Sequence, residues 1–271
     1  MIRFVVALPA EARPLIDRYR LRRRRASSDF PIYENEDVAL IVSGVGKVAA
    51  AVATAYLNAG TGNQAHGIWL NVGIAGHGQR HVGDGALAHR ITDDATQGNW
   101  YPPLVFDPPC ETAGVLTVDN PEHMYRAPWI YDMEAAGYYP IACRFSTSEL
   151  VHCFKVVSDN RTVTANTVSG KTAQQMIAKH IEVIEDIMSR LTALSAELPK
   201  IGPDARQLEK FLDRWRFTVT EQHKLRRLLT RWRTLRPNQH PWSDELNSVQ
   251  SGAAVLSFLE RQLDRLPAKP Y

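Results

Sequence analysis

Short runs of apolar residues, each ending at glycine or at charged residues, divide the first part of the chain. Runs this short and continuous are typical of strands that are buried on both faces of a sheet. They lie at residues 2–8, 38–42, 68–72 and 151–157, and residues 85–91 form a further candidate strand. Because helical segments alternate with these runs, the pattern predicts a doubly wound α/β sheet.

The segments between the runs have helical character. Residues 9–17 follow the first strand and begin with proline, which suits the first position of a helix. Residues 47–58 are rich in alanine, and residues 172–198 place their apolar side chains on one face. These segments are expected to cover the sheet.

The last seventy residues have a different pattern, and Pro199 and Pro203 precede them. We therefore expect an α/β domain at 1–200 and a helical extension at 203–271. Three amphipathic helices are predicted there from Leu208, Phe211, Leu212 and Trp215, from Leu225, Leu228, Leu229, Trp232 and Leu235, and from Val255, Phe258, Leu259, Leu263 and Leu266. Between residues 202 and 240, ten basic residues stand against four acidic ones. A cap or oligomer contact with a basic outer face is favoured over a nucleic-acid contact, because no nucleic-acid-binding motif is present.

The composition is ordinary for a soluble globular protein. Of 271 residues, 44% are hydrophobic and 23% are charged, with a formal net charge of +3. The apolar run before Pro9 is too short for a signal peptide or a membrane span, so we expect a cytoplasmic protein without membrane contact. The three cysteines lack metal-ligand spacing, and we expect neither a metal nor another cofactor.

Glycines and carboxylates follow the predicted strands. Gly73, Gly76 and Gly78 come after the run at 68–72, where they predict a sharp turn. Three acidic residues, Glu11, Glu134 and Asp159, each follow a separate apolar segment. Ligands bind at the carboxyl ends of strands in open α/β sheets, so these groups are expected to share one site. Such a set suits cleavage of an N-glycosidic bond, in which the base leaves with a proton and the sugar becomes cationic.

At this point the sequence resembles the nucleoside phosphorylase and nucleosidase superfamily, most closely the methylthioadenosine/S-adenosylhomocysteine nucleosidases. The matching segments are residues 7–11, 43–51, 71–76 with 82–84, 132–136 and 156–159, in the order usual for the family. The resemblance implies a three-layer α/β/α fold with a central mixed sheet and a homodimer or larger homo-oligomer. It also implies a nucleosidase that releases a purine base and ribose from an adenosine-type nucleoside, with or without a 5′-substituent.

The resemblance also implies a role for individual residues. Asp159 would protonate or hydrogen-bond N7 of the purine, with Ser158 holding it, and Glu11 would deprotonate the attacking water. Glu134 would bind the ribose hydroxyls, and Met133 would pack against the sugar. The backbone of Ala75 and Gly76 would lie beside the base and sugar. Gly85, Trp100 and Tyr101 would lie near the pocket or a subunit contact, although from the residues alone Trp100 and Tyr101 fit core or interface packing better than base stacking.

Departures from the family pattern leave two alternatives open. The chain has Ile74 in place of the usual serine and Lys155 in place of a frequent arginine, and the interval from Gly85 to Met133 is short. A phosphorylase needs fixed donors for phosphate, and Asn71 and Ile74 are poor ones, so hydrolysis is favoured unless Arg13 or Arg80 supplies a cation. The other alternative is an inactive nucleoside- or nucleic-acid-associated binding protein, against which the three carboxylates argue.

Overall fold

The computed structural model describes residues 1–24, 29–62, 66–125, 127–198, 205–236 and 239–264. The chain divides into two compact units, Met1–Ala196 and Glu197–Tyr271. The boundary predicted around Pro199 and Pro203 lies outside the described residues. Within the described ranges, no helix combines the length and apolar character needed to cross a membrane.

Within the described residues, the first unit contains ten strands and five α-helices. The strands are β1 (Ile2–Val6), β2 (Arg22–Arg23), β3 (Ile32–Glu34), β4 (Val38–Val42), β5 (Ile68–His77), β6 (Gly85–Asp93), β7 (Asn99–Trp100), β8 (Thr112–Thr117), β9 (Ile130–Asp132) and β10 (Val151–Asp159). The helices are α1 (Pro9–Tyr19), α2 (Lys47–Thr61), α3 (Ala135–Ala142), α4 (Gly170–Lys179) and α5 (Ile181–Glu197). The strands predicted from apolar runs are all present.

The strands form one mixed sheet that closes on itself at one side. β1 lies parallel between β4 and β5, and β5 also pairs in parallel with β10. Because β5 is ten residues long, its end extends past β1 and pairs with β9 at Gly76 and His77. Pairings of β10 with β6, β6 with β8 and β8 with β9 complete a ring of five strands. Beyond β1 the sheet continues through β4, β3 and β2.

Helices cover both faces of the sheet, as the predicted three-layer fold requires. The ring of Phe4 on β1 packs against Tyr19 of α1, with centroids 5.5 Å apart. The next residue, Val5, belongs to the core cluster that includes Ala53 and Leu57 of α2. Neighbouring side chains on a strand point to opposite faces, so α1 and α2 lie in different layers. The fold class predicted from the sequence is confirmed for this unit.

Two details differ from the predictions. The chain does not turn after residue 72, because β5 continues through Gly73 and Gly76 to His77. These glycines instead leave room for side chains that lie against the strand, among them Glu11, Lys155 and Asp159. The helix predicted at 172–198 is interrupted at His180, whose ring packs on Phe154 and bonds to the carbonyl of Gly83.

The second unit contains the three predicted amphipathic helices. They are α6 (Ala205–Arg214), α7 (Val219–Leu235) and α8 (Gly252–Asp264), with a 3₁₀ turn at Asp244–Ser248. A capping box between Thr218 and Glu221 starts α7. The apolar faces meet in a core of their own, in which Phe211 is fully buried. Leu266, predicted to lie on the third helix, is outside the described residues.

Candidate active site

One cavity of about 190 Å³ lies at the carboxyl ends of β1, β5, β9 and β10. Glu11, Glu134 and Asp159 all line it, although they come from distant parts of the chain. All three side chains belong to buried residues. The expected convergence of three carboxylates on one pocket is therefore present in the structure.

Glu11 is fixed by two backbone groups from different elements. It lies in the first turn of α1, where Pro9 begins the helix directly after β1. One carboxylate oxygen accepts a hydrogen bond from the N–H of Leu8, and the other from the N–H of Ile74 on β5, both at 2.8 Å. Burial raises the pKa of Glu11 to about 7, against the opposing effects of these N–H donors and of Lys155. A carboxyl group with this pKa is suited to accept a proton near neutral pH.

Glu134 faces the cavity from the start of α3. One of its oxygens accepts a hydrogen bond from the N–H of Gly46, 3.0 Å away, at the beginning of α2. Its other oxygen lies 3.7 Å from the ammonium nitrogen of Lys155. Burial raises the pKa of Glu134, Lys155 lowers it, and the neighbouring carboxylate of Asp132 raises it further.

Lys155 and Asp132 form a buried ion pair behind Glu134. The ammonium nitrogen lies 2.8 Å from an oxygen of Asp132. Burial disfavours the charge on Lys155, but Asp132 and Glu134 outweigh this effect and raise its pKa. Asp132 also accepts hydrogen bonds from Thr117 and from the backbone N–H of Ala135, which starts α3. The pair therefore fixes the backbone that carries Met133 and Glu134.

Asp159 ends β10 at an irregularity in the strand. The pairing with β5 shifts register between Val157 and Asp159, so Ser158 is an extra residue on this strand. Ser158 and Asp159 consequently both line the cavity, although neighbouring strand residues normally face opposite ways. The Ser158 hydroxyl donates to one oxygen of Asp159, and the phenol of Tyr125 donates to the other.

The structure separates the remaining predicted residues into two groups. Met133, Ala75 and Gly76 line the cavity. Trp100 and Tyr101 do not, which corrects their prediction as substrate-binding residues of this pocket. Trp100 pairs with Ile91 and packs against the hydrophobic core, because the short strand β7 directs it there. Tyr101 is 64% exposed, with the guanidinium of Arg90 near its ring.

Three residues of the site had no assigned role in the sequence analysis. Asp132 precedes Met133 in a matched segment, and Lys155 is a charged residue inside an apolar run; both signals were visible. Tyr125 lies in an irregular segment between β8 and β9, where no periodicity marks it. Gly85 does not line the cavity, and His180 and Phe154 pack where its Cβ would be.

The cavity can accommodate positive charge better than negative charge. In the described part of the chain, none of its lining residues is basic. Arg13 pairs with Asp17 and Arg80 with Glu111, and neither lines the cavity. Asn71 is buried between strands, where its amide donates to the carbonyl of Val5. Among the described residues, no cluster of three or more His, Cys, Asp or Glu side chains could hold a metal ion.

Comparison with known proteins identifies the class of fold. No family model matches the chain, and no curated protein matches it significantly. Solved structures do match, and they belong to nucleosidases and a related hydrolase. The chain has the nucleoside phosphorylase-like α/β fold of these proteins, as the sequence resemblance predicted.

Individual matches span nearly the whole of the known chains. The 5′-methylthioadenosine nucleosidase of Arabidopsis thaliana is 18% identical, with a TM-score of 0.57 over 70% of this chain and 95% of that one. The 5′-methylthioadenosine/S-adenosylhomocysteine nucleosidase of Helicobacter pylori, with butyl-thio-DADMe-Immucillin-A, is 15% identical, with a TM-score of 0.54 over 70% and 97%. The futalosine hydrolase of Helicobacter pylori is 17% identical, with a TM-score of 0.53 over 69% and 97%.

Proposed function

We propose that the chain is a nucleosidase that hydrolyses the N-glycosidic bond of a purine nucleoside to free base and ribose. The observation that carries the proposal is the convergence of Glu11, Glu134 and Asp159 on one buried cavity. The substrate is an adenosine-type nucleoside, with or without a 5′-substituent. Several proteins of the same fold are nucleosidases whose names specify 5′-methylthioadenosine, which supports this class of substrate.

Each residue has a role in the proposed reaction. Asp159 in its acid form gives its proton to N7 of the purine as the bond between N9 and C1′ breaks, and the bonding electrons remain on the base. Water attacks C1′, and Glu11 accepts the proton that the water loses. Glu134 accepts hydrogen bonds from the ribose hydroxyls, and Met133 packs against the sugar. Exchange with solvent then returns a proton to Asp159 and removes one from Glu11, so the net reaction consumes one water molecule.

Electrostatics favour water over phosphate as the nucleophile. Glu11 is at the sugar end, and no basic side chain is among the described lining residues. Repulsion between a carboxylate and a dianion at about 4 Å reaches several kcal/mol at an effective dielectric near 20. A phosphorylase is therefore the weaker candidate. A protein that only binds nucleosides would not need a carboxyl group at the base end, and this alternative is also weaker.

A homodimer or larger homo-oligomer in the cytoplasm remains part of the proposal. Its support is an apolar stripe on and just before α2, where Val45, Val48 and Val52 are each more than half exposed. Val48 and Val52 are four residues apart in α2 and therefore share one face of the helix.

A base-release assay on a panel of purine nucleosides, with and without phosphate, tests the reaction. We expect phosphate-independent release, with free ribose as the sugar product. Phosphate-dependent formation of ribose 1-phosphate would favour the phosphorylase. If an adenosine analogue binds but no nucleoside is cleaved under either condition, the binding-only alternative takes first place.

A further inference from the structure

Tyr125 makes a contact that the proposed reaction does not use. Its phenol donates a hydrogen bond to Oδ2 of Asp159, the oxygen that Ser158 does not contact. The residue is only 3% exposed, although it lies in an irregular segment outside the strands. Both oxygens of the proposed acid are thus already occupied by groups of the same chain.

The ring of Tyr125 lies against the backbone of β5. A Cβ on Gly76 would be 2.8 Å from ring atom Cε1 and 2.9 Å from the phenol oxygen, and one on Gly78 would be 2.8 Å from Cβ of Tyr125. Gly76 also lines the cavity beside Asp159. The ring of Tyr131 meets that of Tyr125 edge-on, with centroids 5.6 Å apart. Tyr125 therefore packs against the backbone at Gly76 and Gly78, and its hydroxyl group bonds to Asp159.

The backbone at Tyr125 is in an unfavourable conformation. Its φ is 44°, in the left-handed region that bulky side chains rarely adopt. The guanidinium of Arg161 donates to the carbonyl oxygen of Tyr125 at 3.0 Å, and the phenol bond holds the other end of the residue. Residues kept in sparsely populated conformations by a few contacts cluster at functional sites.

We propose that Tyr125 is an internal ligand of Asp159, and that its ring occupies the seat of the nucleobase until the base displaces it. The inference rests on the proposed function, since it takes Asp159 as the group that meets the base. On binding, the hydrogen bond from the phenol to Oδ2 breaks. Asp159 takes up a proton from solvent and, in its acid form, donates it in a hydrogen bond to N7 of the base; no other covalent bond changes. Tyr125 makes two contacts here: its ring packs against Gly76, and its phenol bonds to Asp159. Only a flat heterocycle that also forms a hydrogen bond with Asp159 replaces both. Tyr125 thus sets affinity and selects against bases that lack N7.

Calorimetric titration with adenine tests the exchange. Tyr125→Phe keeps the ring but removes the bond that adenine must replace. We expect this variant to bind adenine about ten- to a hundred-fold more tightly than the wild type, the range for a buried acceptor that lacks its partner until adenine binds. Tyr33→Phe, which removes a phenol from the distant strand β3, is the matched control and should bind like the wild type. In the wild type, 7-deazaadenine should bind far more weakly than adenine.

A second measurement follows the ring itself. With ¹³C-labelled tyrosine, the resonance of Tyr125 is the one missing from the Tyr125→Phe spectrum, and adenine should shift it in the wild type. Asp159→Ala should shift the same resonance without adenine, because it removes the partner of the phenol.

The possible results separate the two proposals. If the wild type binds adenine but Tyr125→Phe binds it no more tightly, or the Tyr125 resonance does not move, the displacement is overturned and the proposed function stands. If adenine, adenosine and 5′-methylthioadenosine bind to neither the wild type nor Tyr125→Phe, the proposed function is overturned together with the displacement.

Discussion

The proposed role of Asp159 depends on the single proton of its carboxyl group. Asn has nearly the same size, but its single oxygen keeps only one of the two hydrogen bonds that Asp159 accepts, and it has no carboxylic proton to give to a leaving base. We expect Asp159→Asn to lower the rate of base release by about 10² to 10⁴, the range for loss of a general acid. Binding of a non-hydrolysable nucleoside analogue should persist, as measured by calorimetry.

The exposed residue Asp94 provides the control, because Asp94→Asn makes the same chemical change outside the cavity. Near-normal turnover in Asp159→Asn would remove the proton-donor role and leave Asp159 with a structural one.

We expect Glu11 to determine the pH dependence of the proposed reaction. Its pKa is about 7, and only the ionised carboxylate accepts a proton from water. We therefore expect kcat/KM for base release to rise as the pH increases through about 7. A flat profile across this range would show that Glu11 is not the base.

The raised pKa of Glu11 also affects stability. As the pH rises, we expect the free energy of unfolding to decrease, whereas kcat/KM increases. The folded chain holds the Glu11 proton more tightly than the unfolded chain, in which the pKa is near 4.5. The contribution of this group to the free energy of unfolding is therefore fully present below that value and is lost as the pH rises through about 7. Denaturant titrations over this range measure the change.

At the scale of elements, the start of α2 is held against α3 by direct backbone contact. A Cβ on Gly137 would be 2.0 Å from the carbonyl oxygen of Lys47, so Gly137→Ala forces the two helices apart. We expect a loss of about 1–3 kcal/mol or more in the free energy of unfolding. Activity should fall as well, because the neighbouring N–H of Gly46 holds Glu134.

Gly170→Ala is the matched control for this substitution. Its Cβ would be 3.6 Å from that of Ala10, an ordinary contact, so stability should change little. Denaturant unfolding followed by circular dichroism compares the two variants. Equal stability of both would mean that the contact between α2 and α3 adjusts without cost.

The elements that sequence patterns predicted are those with buried faces. The apolar runs of β1, β4 and β10 identified these strands, since burial on both faces requires such runs. The strand β8 was missed because its buried and partly exposed residues alternate within six positions rich in Thr, Ala and Gly. Tyr125 was missed because its place depends on a tertiary contact with Asp159, which no local pattern encodes. The three carboxylates were found because each directly follows a recognisable apolar segment.

At the scale of the whole molecule, each of the two units has its own core. Phe211 is fully buried in the core of the second unit, whereas the proposed catalytic residues all lie within residues 1–196. We expect Phe211→Ala to destabilise the second unit by about 3–5 kcal/mol. Base release should be unchanged at temperatures where the first unit stays folded.

Leu235→Ala, at a position that is 48% exposed, is the control and should have a small effect. Circular dichroism follows the loss of helix, and base release reports on the first unit. A parallel loss of activity in Phe211→Ala would show that the second unit takes part in catalysis.

Ser158, the extra residue in β10, also limits which insertions and deletions the sequence can tolerate during evolution. Side chains on a strand alternate between faces, so inserting or deleting one residue between Lys155 and Asp159 would reverse the facing of every position beyond it. Single amino-acid replacements in the surrounding core keep the alternation intact. The segment between β8 and β9 makes few pairings with the sheet and can change in length more freely. Sequence divergence is therefore expected to preserve the spacing within β10 strictly, while the segment between β8 and β9 varies in length at positions away from Tyr125.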